Sequence, residues 1–395
     1  MSRYKYLIVG GGMTADSAVQ GIRKVDNQGT IGLISAEPDR PYDRPPLSKA
    51  LWKGKPLDAI WRKTEEYGVE MHLGRQVMSL DRSQKQVVDD ANRVHTYEKL
   101  LLATGTVPRR LPLAQDLIIY FRTLADYHRL RALTEQGRRF AVIGGGFIGL
   151  EIAAALAMNG KEVMLVVRGP SLGARMLPQE LSTFLTHYYQ DKGVEVMTDD
   201  MIIGAEAQAG RIRLTLSRDR TWVVDGVVAG LGVQPETTLA REAALNVDDG
   251  IRVDEFLRTD DPDVYAAGDV AQFRSPALGR RVRVEHEDNA NTMGAWAGRA
   301  MAGEAEPYHH LPYFYSDLFD LGYEAVGDLD SKWTTVSDWE EPNRKGVVYY
   351  LDRGRVRGVL LWNVWNRVDA ARELIKAPGP FEPSDLKGRL TAAPV

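Results

Sequence analysis

Cysteine is absent from the 395-residue chain, and its absence excludes several kinds of chemistry. A disulfide scaffold, cysteine metal ligands, a cysteine nucleophile and a dithiol redox centre are all ruled out. The redox compartment stays undetermined, because there is no thiol to oxidise. An excess of positive charge is also missing, since 50 Lys and Arg stand against 54 Asp and Glu. The charge balance therefore predicts no nucleic-acid partner and no attachment to an anionic membrane surface.

A long apolar run is missing as well. The most membrane-like stretch, residues 140–158, contains four glycines and Glu151, which favours a strand, a turn and a helix over a membrane span. The N-terminal residues lead directly into an apolar strand, without the apolar region and cleavage site of a signal peptide. We therefore expect a cytoplasmic protein that does not cross a membrane.

The length and composition are those of a multidomain globular protein. A chain of 395 residues predicts two or three domains. The content of 44% hydrophobic and 26% charged residues argues against a disordered chain, a collagen and a coiled coil.

One pattern occurs twice in the chain. Each copy contains an apolar run, a G-x-G-x-x-G/A segment and an alanine-rich helical pattern, the first from Tyr6 and the second from Phe140. In this strand–turn–helix setting the pattern is typical of a dinucleotide-binding fold. Its glycines allow a tight turn and a close approach of the pyrophosphate, and its small third residue lets the helix pack on the strand. The residues in these roles are Gly10, Gly12 and Ala15 in the first copy and Gly144, Gly146 and Gly149 in the second.

Each copy leads to a second, buried-looking strand that ends in Gly-x-x-Pro, at residues 100–108 and 227–235. This parallel predicts two nucleotide-binding domains of similar plan. A third signature, Asp263–Ala271, is a short strand that delivers Gly268 and Asp269 at its end. Ligands of open α/β sheets bind at such strand ends, where Asp269 could accept hydrogen bonds from a polyol such as a ribityl chain.

The region from about Tyr308 differs from the rest, because it is rich in aromatic residues and contains four of the eight tryptophans. Residues 346–351 and 356–362 flank a short polar turn and predict a hairpin. Residues 368–376 predict a short helix. The proline-containing tail after Ala377 is expected to be loosely ordered.

Two dinucleotide folds in tandem, with the Ala-Thr-Gly strand at 103–105 and the Gly-Asp strand at 268–269, resemble the two-dinucleotide-binding-domain flavoproteins. The resemblance covers essentially the whole chain. It implies an α/β fold of two Rossmann-like domains, the first for FAD and the second for NAD(P)H, followed by a C-terminal α+β domain with antiparallel strands. The implied boundaries are 1–115 and 249–307 for the FAD domain, 116–248 for the NAD(P) domain and 308–395 for the C-terminal domain.

The lack of cysteine excludes the disulfide-reductase and single-cysteine branches of this family. The remaining branch includes ferredoxin and rubredoxin reductases and apoptosis-inducing factor. Residues 44–52 look like both types, whereas 283–290, 345–351 and 359–367 are similar to apoptosis-inducing factor. The resemblance implies an FAD-dependent NAD(P)H oxidoreductase whose electrons pass to a ferredoxin or rubredoxin, a quinone or oxygen. The alternative is a redox-sensing flavoprotein, whose reduced FAD–NAD(P) charge-transfer complex controls dimerisation and partner binding.

The resemblance also implies roles for individual residues. Lys49 and Glu151 would pair beside flavin N5, although a purely structural salt bridge is the alternative. Phe147, one helical turn before Glu151, would stack on the nicotinamide or guard its place. His286 would lie at the flavin, so that Lys49, Glu151 and His286 form the implied catalytic set.

Further positions are assigned to cofactor binding. Glu37, at the end of the second strand, is placed where an acid binds the adenosine ribose. Tyr315 stands where the family usually has Trp, which puts a second nicotinamide site built on Trp in doubt. The other cofactor-binding positions that the resemblance implies are Thr14, Arg44, Val77, Thr104, Gly105, Arg109, Gly145, Ile148, Gly232, Asp269, Glu285, Glu287, Glu324 and Asn363.

Two arginines lie where the second fold would distinguish NADPH from NADH. Arg168 ends the strand at which an acid would bind an NAD ribose, and Arg175 follows it. Glutathione-reductase-like NADPH enzymes look similar at this position, so we expect NADPH to be used at least as well as NADH. Against this, Gly149 is more typical of NAD, and both arginines could simply be solvated. We expect no metal site, and a homodimer is expected from the resemblance alone.

Overall fold

The structure is a computed structural model, and it describes residues 2–113 and 115–391. The described residues form two compact units. The first unit comprises Met1–Arg44, Pro56–Val107 and Gln234–Pro312, as far as they are described. The second comprises Pro45–Lys55, Pro108–Val233 and Tyr313–Val395, again as far as described.

The strands are numbered in chain order. They are β1 Ser2–Val9, β2 Ile31–Ser35, β3 Val69–Leu73, β4 Val77–Asp81, β5 Gln86–Asp89, β6 Val94–Leu102, β7 Thr106–Pro108, β8 Ile118–Tyr120, β9 Arg139–Ile143, β10 Glu162–Val166, β11 Val194–Met197, β12 Ile202–Gln208, β13 Arg211–Leu216, β14 Thr221–Val224, β15 Gly226–Ala229, β16 Val233–Pro235, β17 Val247–Asp248, β18 Gly250–Arg252, β19 Val264–Ala266, β20 Ala271–Ser275, β21 Arg280–Val282, β22 Tyr313–Leu318, β23 Leu321–Gly327, β24 Thr334–Glu341, β25 Lys345–Asp352 and β26 Arg355–Trp362.

The helices are numbered in the same way. They are α1 Met13–Val25, α2 Leu124–Gln136, α3 Phe147–Met158, α4 Gln179–Asp191, α5 Thr238–Glu242, α6 Glu287–Met301, α7 Val368–Lys376 and α8 Pro383–Leu386. Short 3₁₀ helices include Pro45–Ser48 and Ala50–Lys53, on either side of Lys49, and Gly268–Val270. Within residues 2–113 and 115–391, no helix is both long and apolar enough to span a bilayer.

The central sheet of the first unit has the order β3-β2-β1-β6-β5-β4, and β19 also pairs with β6. Strands β3, β2, β1, β6 and β19 are parallel. Val9 lies opposite Ile34 and Leu102, and Leu102 lies opposite Ala266. The segments that follow β1, β2, β6 and β19 therefore leave the sheet at one edge. They carry the first glycine-rich turn, Glu37, Thr104 and Asp269.

The second unit repeats this arrangement. Its parallel sheet has the order β11-β10-β9-β15-β8, and a separate antiparallel sheet has the order β12-β13-β14. Ile143 lies opposite both Val166 and Ala229, so the second glycine-rich turn and the segment after β10 leave the same sheet edge. The predicted pair of Rossmann-like folds is therefore confirmed.

The C-terminal sheet, β22-β23-β26-β25-β24, is antiparallel and also belongs to the second unit. The predicted hairpin is β25–β26, and the predicted short helix is α7. The expectation of a loosely ordered tail was wrong for the described residues. Leu386 and Leu390 are buried, and Asp338 Oδ2 accepts hydrogen bonds from Gly388 N and Thr391 Oγ1, both at 2.8 Å. Apolar burial and these bonds outweigh the breaking effect of the prolines.

Candidate functional site

The first glycine-rich turn, Gly10–Ala15, is shaped to bring main chain close to a ligand. Gly10 has φ +126°, and a Cβ there would lie 2.1 Å from Ala103 O, so only glycine fits. A Cβ on Gly12 would instead face open space, with an Arg44 guanidinium nitrogen 3.9 Å away. Helix α1 begins immediately after Gly12, and its first N–H groups suit a bound phosphate. Thr14 and Ala15 are buried in that first turn.

Glu37 is held by two neighbours at the end of β2. Tyr42 Oη donates to Glu37 Oε2 at 2.6 Å, and the Arg44 guanidinium donates to Glu37 Oε1. Burial opposes the charge on Arg44, but the phenol of Tyr42 and the carboxylate of Glu37 raise the Arg44 pKa above its usual value. A carboxylate has about four acceptor positions, so Glu37 can still accept hydrogen bonds from ribose hydroxyls.

Asp269 is fixed from two directions. Thr106 Oγ1 donates to Asp269 Oδ2 at 3.2 Å, and Arg283 Nη1 donates to the main-chain oxygen of Asp269 at 3.2 Å. Arg283 also forms an ion pair with Glu285 at 2.6 Å. Burial opposes the charge on Arg283, while Glu285 and then Asp249 raise its pKa. The ion pair thus holds Glu285 directly before His286, the residue that precedes α6.

The second glycine-rich turn combines close packing with open space. A Cβ on Gly149 would lie 1.9 Å from Gly144 O, so α3 lies directly against the turn. A Cβ on Gly146 would have no atom of the described residues within 4 Å, which leaves room for a pyrophosphate. Phe147, the first residue of α3, is 37% exposed and contacts Phe314 edge-on at 5.2 Å between ring centroids. Arg168 and Arg175 are exposed in the segment after β10.

A buried ionic cluster surrounds Glu151 on α3, whose side chain is only 2% exposed. Lys49 Nζ lies 2.8 Å from Glu151 Oε2, which also accepts a hydrogen bond from Ser48 Oγ at 2.5 Å. Ser316 Oγ donates to the other oxygen, Oε1, at 2.7 Å. Lys49 Nζ lies 5.1 Å from the centroid of the Tyr315 ring. The cluster thus ties segment 45–55, α3 and β22 to one carboxylate within the second unit.

The surroundings of this cluster keep the neighbouring phenols neutral. Burial raises the pKa of Tyr189 and of Tyr323 well above the usual value, and the charge of Glu151 raises both further. Lys49 and Glu151 form an ion pair at this place. Because an unpaired buried ion is costly, each charge holds the other in position.

The two units divide the predicted site residues between them. The first unit contains Gly10, Gly12, Thr14, Ala15, Glu37, Arg44, Val77, Thr104, Gly105, Asp269, Glu285, His286 and Glu287. The second contains Lys49, Arg109, Gly144, Gly145, Gly146, Phe147, Ile148, Glu151, Arg168, Arg175, Gly232, Tyr315, Glu324 and Asn363.

Several of these side chains have partners in the protein itself. Thr104 Oγ1 donates to Glu236 O at 2.7 Å, and Arg109 Nε donates to Val233 O at 3.1 Å. Asn363 accepts from Gly322 N at 2.8 Å and donates to Arg344 O at 2.9 Å.

Glu324 differs from these residues. It lies opposite Tyr315 in the β22–β23 pair. Its Oε2 is buried with no hydrogen-bond partner among the described residues, and burial raises its pKa. Glu324 is therefore a polar group that a ligand of the second unit could satisfy.

The sequence did not identify the residues that hold the charged groups. They are Tyr42 on Glu37, Thr106 and Arg283 on Asp269, and Ser48 and Ser316 on Glu151. Two of them could have been identified from the sequence, because Ser48 directly precedes Lys49 and Ser316 directly follows Tyr315. The signal that could have identified them is a hydroxyl next to a predicted charged or stacking residue.

The residues present fit two dinucleotides, one for each glycine-rich turn. The first turn, with Glu37 and Asp269, has the phosphate and hydroxyl partners that FAD needs. The second turn, with its open Gly146, has the corresponding place for a nicotinamide dinucleotide. In the part of the chain that the structure describes, no three His, Asp or Glu side chains are grouped as metal ligands.

Comparisons with known proteins identify the family. Residues 4–294 match the pyridine nucleotide-disulphide oxidoreductase family, and residues 297–344 and 338–377 match the C-terminal domain of mitochondrion-associated apoptosis-inducing factor. The chain is 35% identical over 400 residues to the anthranilate 1,2-dioxygenase system ferredoxin–NAD(+) reductase component of Burkholderia cepacia, covering 98% of this chain and 97% of that one. It is 33% identical over 419 residues to mitochondrial apoptosis-inducing factor 1 of Dictyostelium discoideum, covering 95% and 79%.

A solved structure gives the same result. The crystal structure of the covalent putidaredoxin reductase–putidaredoxin complex matches with a TM-score of 0.90 at 29% identity, covering 97% of this chain and 95% of that one. The resemblance predicted from the motifs is thus confirmed. The chain belongs to the pyridine nucleotide-disulphide oxidoreductase family, as an oxidoreductase that uses FAD and a nicotinamide dinucleotide.

Proposed function

We propose that the protein transfers electrons from NADH or NADPH to a small iron–sulfur protein of the ferredoxin type. The observation that carries the proposal is the near full-length similarity to the Burkholderia cepacia reductase component, at 97% coverage of that chain. The absence of cysteine supports it, because no dithiol is available to carry electrons away from the flavin. One dinucleotide and two oxidised ferredoxins would yield NAD(P)+, two reduced ferredoxins and one proton.

The chain's own residues would bind, orient and stabilise charge. Bound FAD would supply the conversion of a hydride into single electrons. Gly12 and Gly146 would admit the two pyrophosphates, Glu37 would bind the adenosine ribose, and Asp269 would accept hydrogen bonds from the ribityl chain. Lys49, held by Glu151, would place a fixed positive charge at the reacting end of the cofactor, as the resemblance implies. As the resemblance implies, His286 would contact the flavin, and Phe147 and Tyr315 would contact the nicotinamide.

Reconstitution and turnover test the proposal. The purified protein should contain FAD and should reduce a [2Fe–2S] ferredoxin with a nicotinamide dinucleotide as the electron donor. Ferredoxin reduction is measured through the coupled reduction of cytochrome c. Omission of the ferredoxin is the control, and direct reduction of quinone or oxygen is assayed separately. If quinone or oxygen is reduced and no ferredoxin is, the proposed acceptor is wrong, although the flavin chemistry stands.

The choice of nicotinamide cofactor gives a second prediction. Arg168 can make charge-assisted bonds to a 2′-phosphate, so we expect NADPH to be used at least as well as NADH. Arg168→Ala should weaken NADPH binding about tenfold, as the loss of one bond to a charged group predicts, and should leave NADH nearly unchanged. Flavin reduction kinetics with both cofactors measure this. A tenfold preference for NADH that Arg168→Ala does not alter would show that the arginines do not recognise the 2′-phosphate.

A redox-sensing role is the second candidate, and the match of residues 297–377 to the apoptosis-inducing-factor C-terminal domain favours it. It predicts that the NAD(P)H-reduced protein keeps a long-wavelength charge-transfer absorbance and forms a homodimer. Anaerobic spectra and light scattering of the oxidised and reduced protein test both points. Rapid loss of the band in air, with a monomer throughout, would reject the sensor.

The cytoplasmic location expected from the sequence stays a prediction.

A further inference from the structure

The segment that follows β10 lies at the sheet edge where a dinucleotide-binding fold is expected to bind the adenosine end of its ligand. We call residues 167–178 the adenosine loop. It leaves the sheet edge beside the second glycine-rich turn and carries the exposed Arg168 and Arg175. A Cβ built on Gly145 would lie 2.8 Å from the Val167 side chain and 4.0 Å from that of Leu172. The loop thus packs directly on the turn that would hold the pyrophosphate.

Part of this loop is anchored by the nucleotide fold itself. Asp199 N donates to Gly169 O at 3.0 Å. Ser182 Oγ donates to Leu172 O at 2.6 Å, and Leu172 N donates to Thr186 Oγ1 at 2.9 Å. These bonds fix the first half of the loop, up to Leu172.

The second half of the loop is held by the C-terminal region. Ser331 N donates to Arg175 O at 3.1 Å, and Tyr350 Oη donates to Met176 O at 2.9 Å. Tyr350 is fully buried in β25, whereas Ser331 lies in the turn before β24. Two main-chain oxygens next to each other, at Arg175 and Met176, are therefore bound by groups from the C-terminal sheet region.

We propose that Ser331 and Tyr350 are positioning residues for dinucleotide recognition, so that the C-terminal sheet region sets the affinity for the adenosine half. A loop that is already fixed avoids the loss of conformational freedom that a mobile loop suffers on binding. Arg175 is then presented from a rigid main chain. The inference rests on the proposed function, because it assumes that the second fold binds NADH or NADPH.

Ser331 offers a closely matched pair of variants. Ser331→Pro removes the N–H group that Arg175 O accepts from, whereas Ser331→Ala keeps it. The proline should be tolerated, because Trp333 N donates to Asp330 O at 3.0 Å and so places Ser331 second in a turn, where proline is favoured. Tyr350→Phe removes the other bond. Its control is Tyr349→Phe, because Tyr349 Oη is buried with no hydrogen-bond partner among the described residues.

The test measures binding of 5′-AMP and 2′,5′-ADP to the FAD-loaded protein by titration calorimetry. Ser331→Pro and Tyr350→Phe should each lower the affinity for whichever probe the wild type binds more tightly by about fivefold or more. Both control variants should keep an affinity close to that of the wild type. The FAD absorbance spectrum should not change in any variant. If Ser331→Pro binds like Ser331→Ala and Tyr350→Phe like Tyr349→Phe, the inference is overturned. If the wild type binds neither the probes nor NADH and NADPH, the proposed function itself fails.

Discussion

Replacing Lys49 by methionine should lower the free energy of unfolding by about 3–5 kcal/mol, because it leaves a buried carboxylate without its counter-ion. Glu151 would keep its bonds to Ser48 and Ser316, but these hydroxyls bring no positive charge. Chemical denaturation of the variant and of the wild type measures the difference.

The chain provides two controls for this prediction. Lys53, on the same segment, is 43% exposed and lies 3.7 Å from Asp317. Lys53→Met should therefore change stability by no more than about 1 kcal/mol. Combining Lys49→Met with Glu151→Gln removes both charges and should recover much of the lost stability. If Lys49→Met is as stable as Lys53→Met, the buried pair does not stabilise the second unit.

The same variant tests the proposed role of the pair at the cofactor. Lys49→Met should slow flavin reduction by about tenfold, the effect of roughly 1.4 kcal/mol at the transition state, or shift the flavin potential. Lys53→Met should do neither. A normal rate and a normal potential in Lys49→Met would leave the pair with a structural role only.

Two glycines of the second turn should respond differently to the same added methyl group. Gly149→Ala places a Cβ 1.9 Å from Gly144 O, a main-chain atom that cannot move aside without displacing the turn. We expect a loss of about 2–3 kcal/mol in stability, typical of overpacking, together with a loss of dinucleotide binding. Gly146→Ala adds a methyl where no atom from residues 2–113 or 115–391 lies within 4 Å. It should keep the stability and weaken NADH binding about tenfold, equivalent to roughly 1.4 kcal/mol.

Thermal unfolding and dinucleotide titration of both variants check this contrast. The FAD content should remain normal in both, because the first turn lies in the other compact unit. Unchanged NADH binding in Gly146→Ala would contradict a pyrophosphate site at this turn. A loss of FAD from both variants would show that the turns do not act separately.

The main features of the fold could be predicted because their signals are local. The two glycine-rich turns each lie between an apolar strand and a helix within a few residues. Strands β25 and β26 follow from two apolar runs that flank a short polar turn, and α7 follows directly after them in the chain. Glu37 and Asp269 could be placed because parallel strands deliver their ends to one sheet edge. The repeated pattern also carried the family resemblance, which implied FAD for the first fold and NAD(P)H for the second.

The partners of the charged groups could not be predicted, because they come from distant parts of the chain. Ser316 reaches Glu151 only once β22 packs near α3, and Tyr350 reaches Met176 only once β25 packs on the adenosine loop. The order of the tail also depends on such packing, since Leu386 and Leu390 are buried by the folded C-terminal region. Local sequence patterns do not report contacts that the assembled fold creates.

The most direct measurement is anaerobic stopped-flow mixing of the FAD-containing protein with NADH or NADPH, followed by mixing with an oxidised [2Fe–2S] ferredoxin. We predict loss of the flavin absorbance at a rate that saturates with the dinucleotide concentration. Ferredoxin reduction should then follow fast enough to support steady-state turnover. A folded protein that cannot be loaded with FAD, or a flavin that neither dinucleotide reduces, would contradict the assignment as a flavin-dependent electron-transfer enzyme.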